Sequence, residues 1–220
     1  MSALKKRIKA IDRKSTRLYN ELKFNIGKSE RMAQVLKEEI RERIFKAALE
    51  EFFEKDFKTA TMRDIAIKAD IPTGLIYSYY KNKQALFEEI VQPVIGQLPQ
   101  ILKEAESTSA MGLENYFNIE RKFYIDLLYK RKEFLLLMDK SAGTAYSNSK
   151  YEMISAIEQH IKIVLEKRSA QKYDEVLFHI LATNHVESLL EIMRHYKSKE
   201  WAEEMLDLVK KQFFLGSDSL

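Results

Sequence analysis

The residues best equipped for chemistry lie close together, between Thr61 and Lys83. Thr61, Thr73 and Ser78 offer hydroxyls, Tyr77 and Tyr79 phenols, Lys83 an ammonium, and Gly74 a stretch of backbone with no side chain over it. Groups of this kind donate to and accept from phosphate oxygens and base edges. They do not form a catalytic set. The chain has no cysteine, which excludes thiol nucleophiles, disulfides and cysteine-ligated metals. The four histidines, His160, His179, His185 and His195, have no HExxH or comparable metal spacing. Nucleophile elbows, phosphate-cradling loops and dinucleotide fingerprints are also absent. The reading is a binding protein and not an enzyme, with no catalytic residue, metal or cofactor expected.

Short helices must position that cluster. Thr61 followed by Asp64 is a capping-box-like start, and the helix it opens places Met62, Ile65, Ala66 and Ala69 on one face. Asp70-Ile71-Pro72 breaks it, because Pro72 supplies no N–H and biases Ile71 away from helical angles. Proline is tolerated in a first turn, so a second short helix is expected over Thr73–Tyr80. A short helix, a tight turn and another short helix make a helix-turn-helix candidate. Helices this short are marginal alone. The run before them, from Ser29 to about Glu54 with Met32, Leu36, Ile40, Ile44, Ala47 and Ala48 on its apolar side, must hold them.

The rest of the chain reads as helix. Gln84–Glu104 is amphipathic with a kink expected at Pro93 and Pro99, Ser107–Met111 is a loop, and Leu113–Lys130 and Arg131–Lys140 are apolar-rich. A second loop over Ser141–Ser149 precedes Tyr151–Arg168, Tyr173–Tyr196 and Trp201–Leu215, with Gly216 as the expected stop. No strand-like alternation and no internal repeat occur, so the fold class is all-α: an N-terminal three-helix helix-turn-helix unit followed by a larger C-terminal helical bundle. The division expected is an arm over 1–28, a helix-turn-helix unit over 29–84 and a bundle over 85–220. No apolar run exceeds the five residues Phe134–Met138, so no membrane partner is expected and the cytoplasm is the expected location.

Charge is unevenly spread. Residues 1–37 hold 11 Lys/Arg against 3 Asp/Glu, a net of +8, whereas residues 38–90 hold 9 against 11, a net of −2. A basic arm suits a polyanion. Within it Leu4, Ile8, Ile11, Leu18 and Leu22 recur at helical steps, with Ser15 interrupting.

Residues Arg41–Leu86 resemble the DNA-binding domain of the TetR family of bacterial transcriptional regulators. The likeness rests on Ile44, Ala47, Ala48, Phe52, Phe57, Thr61, Ile65, Ala66 and Ile71, and above all on Gly74–Leu86 (GLIYSYYKNKQAL), with its Gly-x-x-Tyr, aromatic pair and Lys-x-x-Leu. The family usually has Gly where Asp56 and Asp70 stand, at helix ends that need φ > 0, and Asp is a workable substitute there. Pro72 replaces a Ser or Thr cap and Leu75 a common Thr, which bears on operator sequence more than on fold.

A helix-turn-helix places its second helix in the major groove. Thr73, Gly74, Leu75 and Tyr77 are expected at base edges with Ser78 and Tyr79 behind them, while Tyr77, Tyr79 and Lys83 suit phosphates and Thr61 starts a helix that can meet one. Ile71, Ile76 and Tyr80 are expected in the core. The acidic headpiece lacks the field that duplex binding needs, so Lys5, Lys6, Arg7, Lys9, Arg13, Lys14 and Arg17 of the arm are expected to follow the DNA backbone.

The resemblance further implies a homodimer on a double-stranded pseudo-palindromic operator, through the last two helices: Val176, Ile180, Val186, Leu190 and Met193, with Trp201, Met205, Leu208, Val209 and Phe213. It also implies a small-molecule effector inside the bundle. Phe117, Phe123, Tyr124, Leu127, Met138, Tyr146, Met153, His185 and Met193 are its candidate lining and favour an apolar or aromatic ligand. Repression is the family default. The alternative is a helical interaction protein of the same fold that has lost specific DNA binding.

Overall fold

The structure is a computed structural model; it describes residues 31–96, 113–168 and 171–217, with backbone alone for 113–120, 167–168 and 213–217. All elements among the described residues are helices. The chain divides into two compact units, Met1–Lys46 and Ala47–Leu220. Helix α1 spans 31–55. In the first unit its residues 31–39 are all exposed.

In the second unit the apolar positions of α1, Ala47, Ala48 and Phe52, are buried. Two turns with left-handed residues follow. Asp56, after α1, has φ 110° and Asp70, after α2, has φ 53°, the two helix ends where the family favours glycine. Asp56 is held there by its own carboxylate, which accepts the Thr59 N–H at 2.8 Å and the Thr59 hydroxyl at 2.9 Å.

Helix α2 covers Met62–Lys68, α3 Thr73–Ile76 and α4 Lys83–Ile95. The sequence predicts α3 to reach Tyr80, but it loosens after Ile76 into three-residue turns, Ser78 N–H to Leu75 O and Tyr79 N–H to Ile76 O. Pro72 gives it no side-chain cap, so nothing local lengthens it. The three helices close over Phe52, Phe57 and Phe87, whose ring centroids lie 5.1 to 5.9 Å apart, together with Ile65, Ala66, Ile76, Tyr80 and Leu86. Pro93 lies inside α4, and Pro99 lies outside the described residues.

The body consists of α5 (Leu113–Tyr129), α6 (Arg131–Asp139), α7 (Ser149–Arg168), α8 (Glu175–Arg194) and α9 (Lys199–Ser217). Gly216 does not stop α9, which runs one residue past it. Helix α6 is buried along Phe134–Met138 and packs on α4; α7 and α8 pack through Ile161, Leu165, Phe178 and Ala182. One main-chain bond ties headpiece to body, from Phe57 N–H to Lys140 O at 3.1 Å. No helix among the described residues is long and apolar enough to cross a membrane.

Candidate nucleic-acid interface

The Thr61 hydroxyl accepts the Asp64 N–H at 3.1 Å and caps α2, as the Thr-x-x-Asp spacing predicts. Asp64 is held below its ordinary value by the Thr61 hydroxyl first and the Lys55 ammonium second. Lys55 also pairs with Glu51 at 2.5 Å, and Lys68 with Glu54 at 2.7 Å and Glu51 at 3.3 Å. Glu51 is almost fully buried, so this carboxylate fastens α2 to α1 where an unpaired charge would be costly.

The second helix presents an open face. Thr73, Gly74, Tyr77 and Ser78 are exposed and Leu75 and Tyr79 half-buried, with Tyr77 at 54%. A methyl built on Gly74 meets nothing within 4 Å, and its φ is an ordinary one. Neither internal packing nor backbone geometry therefore calls for glycine at this position. Ile76 and Tyr80 are buried as their spacing predicts, and the Tyr80 hydroxyl donates to Glu89 at 2.8 Å; Ile71 is half-buried instead of core.

Lys83 departs from expectation. Its ammonium donates to the carbonyls of Phe57 at 2.6 Å and Ala60 at 2.7 Å, with Lys58 O at 3.4 Å, and lies 4.5 Å from the centre of the Phe57 ring. Burial pulls its pKa down. A lysine committed to satisfying the carbonyls of the α1–α2 turn positions the headpiece instead of reaching for a phosphate. Nothing local to Asn82-Lys83 reports a turn more than twenty residues upstream, so this role is not legible in the sequence. Asn82 caps α4, accepting the Ala85 N–H at 2.8 Å.

Residues 1–28, with Lys5, Lys6, Arg7, Lys9, Arg13, Lys14 and Arg17, lie outside the described residues. In the body Val176, Ile180 and Leu208 are exposed and Trp201, Met205 and Val209 half-buried, whereas the side chain of Phe213 lies outside the described residues. Val186, Leu190 and Met193 correct the expectation: all three are fully buried and face the core of their own chain. The stripe they share with Phe178, Ala182 and Leu189 is the inward one of α8.

Of the candidate effector residues, Phe123, Tyr124, Leu127, Met138, His185 and Met193 are buried and Tyr146 and Met153 half-buried; the side chain of Phe117 lies outside the described residues. The structure brings three of them together. The Phe123 and Tyr124 rings lie 5.4 Å apart, and the Tyr124 hydroxyl is hydrogen-bonded to His185 Nε2.

Comparison with known proteins bears on this arrangement. Residues 44–90 match the family model of bacterial regulatory proteins, tetR family. Over 94 residues the chain is 30% identical to the uncharacterized HTH-type transcriptional regulator YhgD of Bacillus subtilis, across 43% of this chain and 48% of that protein. The chain thus aligns with about half the length of this curated relative. A TetR-like transcriptional regulator from Rhodococcus sp. RHA1 is similar in structure, with a TM-score of 0.57 and 19% identity over 80% of this chain and 94% of that one. The fatty acid degradation regulator FadR from Bacillus halodurans gives 0.51 and 16% over 79% and 94%. The chain has the all-helical fold of these regulators, and its residues 44–90 carry the helix-turn-helix segment that matches the tetR family of bacterial regulatory proteins.

Proposed function

We propose that the chain is a DNA-binding transcriptional regulator that reads a pseudo-palindromic operator as a homodimer. In this reading 29–84 is the reading unit, 85–220 the effector and dimer body, and the basic arm over 1–28 follows the DNA backbone. The observation that carries it is the open face of α3, where Thr73, Gly74, Tyr77 and Ser78 stand clear around a glycine whose added methyl would touch nothing. Thr73 can contact several bases and Leu75 a thymine methyl, while Tyr77 and Tyr79 suit phosphates. The dimer would form through the exposed Val176, Ile180 and Leu208. The effector is a small apolar or aromatic molecule near Tyr124 and His185, whose buried hydrogen bond supplies one polar contact in otherwise apolar surroundings. Its binding releases the DNA, which makes the protein a repressor.

A second reading has its own support. Three headpiece lysines, Lys55, Lys68 and Lys83, are committed to carboxylates or carbonyls, and the net charge over 38–90 is −2. A helical interaction protein that has lost specific DNA binding would tolerate that. Titration of the full chain against labelled genomic fragments at two salt concentrations separates the two, because specific sites survive salt that strips non-specific binding. A fragment retained at high salt supports the regulator, and uniform loss of every fragment supports the alternative.

A further inference from the structure

Residues 47–90 hold six Lys/Arg against eight Asp/Glu, a net of −2. Half of those cations are committed inside the fold. Lys55 and Lys68 hold Glu51, Glu54 and Asp64, and Lys83 holds the carbonyls of Phe57, Lys58 and Ala60. The other three, Lys58, Arg63 and Lys81, are exposed, and among the described residues their side chains make no hydrogen bond or ion pair. They are not scattered. Lys58 stands in the α1–α2 turn whose carbonyls take the Lys83 ammonium, Arg63 follows Ala60 by three residues in the first turn of α2, and Lys81 precedes Lys83 by two where the chain leaves α3. All three therefore border the same Lys83 buttress. The carboxylates of these segments are engaged elsewhere: Asp56 accepts from the Thr59 N–H and hydroxyl, and Asp64 pairs with Lys55. Arg63 acts on Asp64 through its field alone.

We infer that Lys58, Arg63 and Lys81 are the phosphate contacts of the headpiece, gripping the backbone of a DNA duplex that lies along the open face of α3, and that Lys83 positions them from behind. The inference rests on the proposed reading of α3 as the helix that enters the groove. Three cations left without carboxylates on an otherwise acidic unit form a local positive region, and a polyanion relieves the repulsion among them. A duplex offers phosphates in a row, one for each. The two ammoniums meet an oxygen as point charges, and the guanidinium fork of Arg63 takes two. Lys81 leaves the end of α3 directly, and Arg63 lies on α2, which packs on α3, so the three flank the exposed Thr73, Gly74 and Tyr77. Contacts of this kind fix the register of the helix on the duplex and carry no sequence, which leaves reading to Thr73, Gly74 and Leu75. The headpiece thus meets DNA by the placement of a few free cations and not by its net charge.

The test compares the full chain with a triple variant, Lys58→Gln, Arg63→Gln and Lys81→Gln, and with Lys122→Gln, which removes an exposed cation from α5 of the body. Binding to two labelled duplexes of unrelated sequence, one A·T-rich and one G·C-rich, is followed by fluorescence anisotropy as salt is raised. Each phosphate contact contributes about 0.9 to the slope of log affinity against log salt. The triple variant is expected to lose about three contacts' worth of that slope, to weaken by the same factor on both duplexes, and to melt in urea like the parent, because none of the three side chains is buried or bonded. Lys122→Gln is expected to keep the parent's slope. An unaltered slope in the triple variant, or an equal fall per charge in Lys122→Gln, overturns the inference while the parent's binding leaves the regulator reading standing. A loss confined to one duplex also overturns it, since these residues would then read bases. A parent that binds neither duplex fails the regulator reading itself, and the inference falls with it.

Discussion

The Lys83 ammonium sits over the Phe57 ring at 4.5 Å and donates to the carbonyl of that same residue at 2.6 Å. One side chain at the start of α4 thus satisfies the turn that joins α1 to α2, while the Phe57 N–H reaches across to Lys140 O at the end of α6. Phe57 is one point where headpiece and body meet, and Lys83 fixes its backbone from one side. Replacing Lys83 with Met keeps the stem and the apolar contact but leaves two inward carbonyls unmet. Hydrogen bonds to a charged group contribute about 1.5–3 kcal/mol. Lys83→Met is expected to lower unfolding stability by an amount in that range, read from urea melts. A lysine serving only a phosphate would leave the melts unchanged and reduce the salt slope of DNA binding by about one.

Gly74 makes the opposite prediction. Nothing in the folded chain meets a methyl at this position, and glycine within a helix costs about 0.5–1 kcal/mol relative to alanine. Gly74→Ala is expected to leave stability unchanged or slightly raised while weakening operator binding, because the added group meets the duplex and nothing else. Fluorescence anisotropy with an operator fragment, alongside thermal melts, measures both. Unaltered affinity would sink the idea that DNA approaches this backbone closely.

Much of this was legible in the residues. Thr61 with Asp64 marked the start of α2, Pro72 its separation from α3, and the apolar spacing of Ile76 and Tyr80 their burial, because each rests on interactions within a few positions of chain. The two left-handed aspartates were legible through the family resemblance, since a helix end that reverses direction demands φ > 0 whichever residue supplies it. The task of Lys83 was not, because it depends on carbonyls brought near by tertiary packing. The same applies to α8. Val176, Ile180, Val186 and Leu190 all read as apolar helix positions, and only the packing of its neighbours decides that the first two face outward and the last two inward. Local rules cannot assign a face to a helix that is apolar over most of its circumference.

That division can be tested directly. Ile180→Glu and Leu208→Glu place charge on exposed positions and are expected to raise the dimer dissociation constant in sedimentation equilibrium, with melts of the monomer little changed. Leu190→Glu buries an unpaired charge and is expected to prevent folding, seen as lost cooperativity in the melt. An Ile180→Glu, Leu208→Glu double variant that dimerises like the parent would remove these residues from the interface.

Asp56 gives the fold a pH dependence of known sign. The Thr59 N–H first, and its hydroxyl second, hold the Asp56 carboxyl below the ordinary 3.8. A depressed carboxyl favours the folded state wherever it is ionised in both states, so its contribution is complete above that value and is lost as pH falls through the lower folded value. Asp56→Asn keeps an acceptor for Thr59 and tolerates the left-handed backbone, but cannot titrate. Thermal melts across the acid range are expected to fall less steeply for Asp56→Asn than for the parent. Parallel curves would assign the acid sensitivity to other carboxylates.

Arg194 extends the junction deeper into the body. Its Nε and Nη2 grip Asp139 at 2.9 and 2.6 Å, and Nη1 reaches Glu191 at 2.6 Å and Glu187 at 3.2 Å. Asp139 ends α6, and the next residue, Lys140, supplies the carbonyl that takes the Phe57 N–H. Bidentate recognition of this kind needs the planar fork of arginine, which lysine keeps in charge but not in shape. The Phe57 amide is the remote reporter, because it sits on the far side of Lys140 from the substitution. In Arg194→Lys its hydrogen exchange is expected to quicken relative to amides inside α4, as the end of α6 loses its fixed anchor to α8. If protection at Phe57 stays at the parent's level, the end of α6 is held by the burial of Phe134–Met138 alone, and the Arg194 cluster does not reach the headpiece.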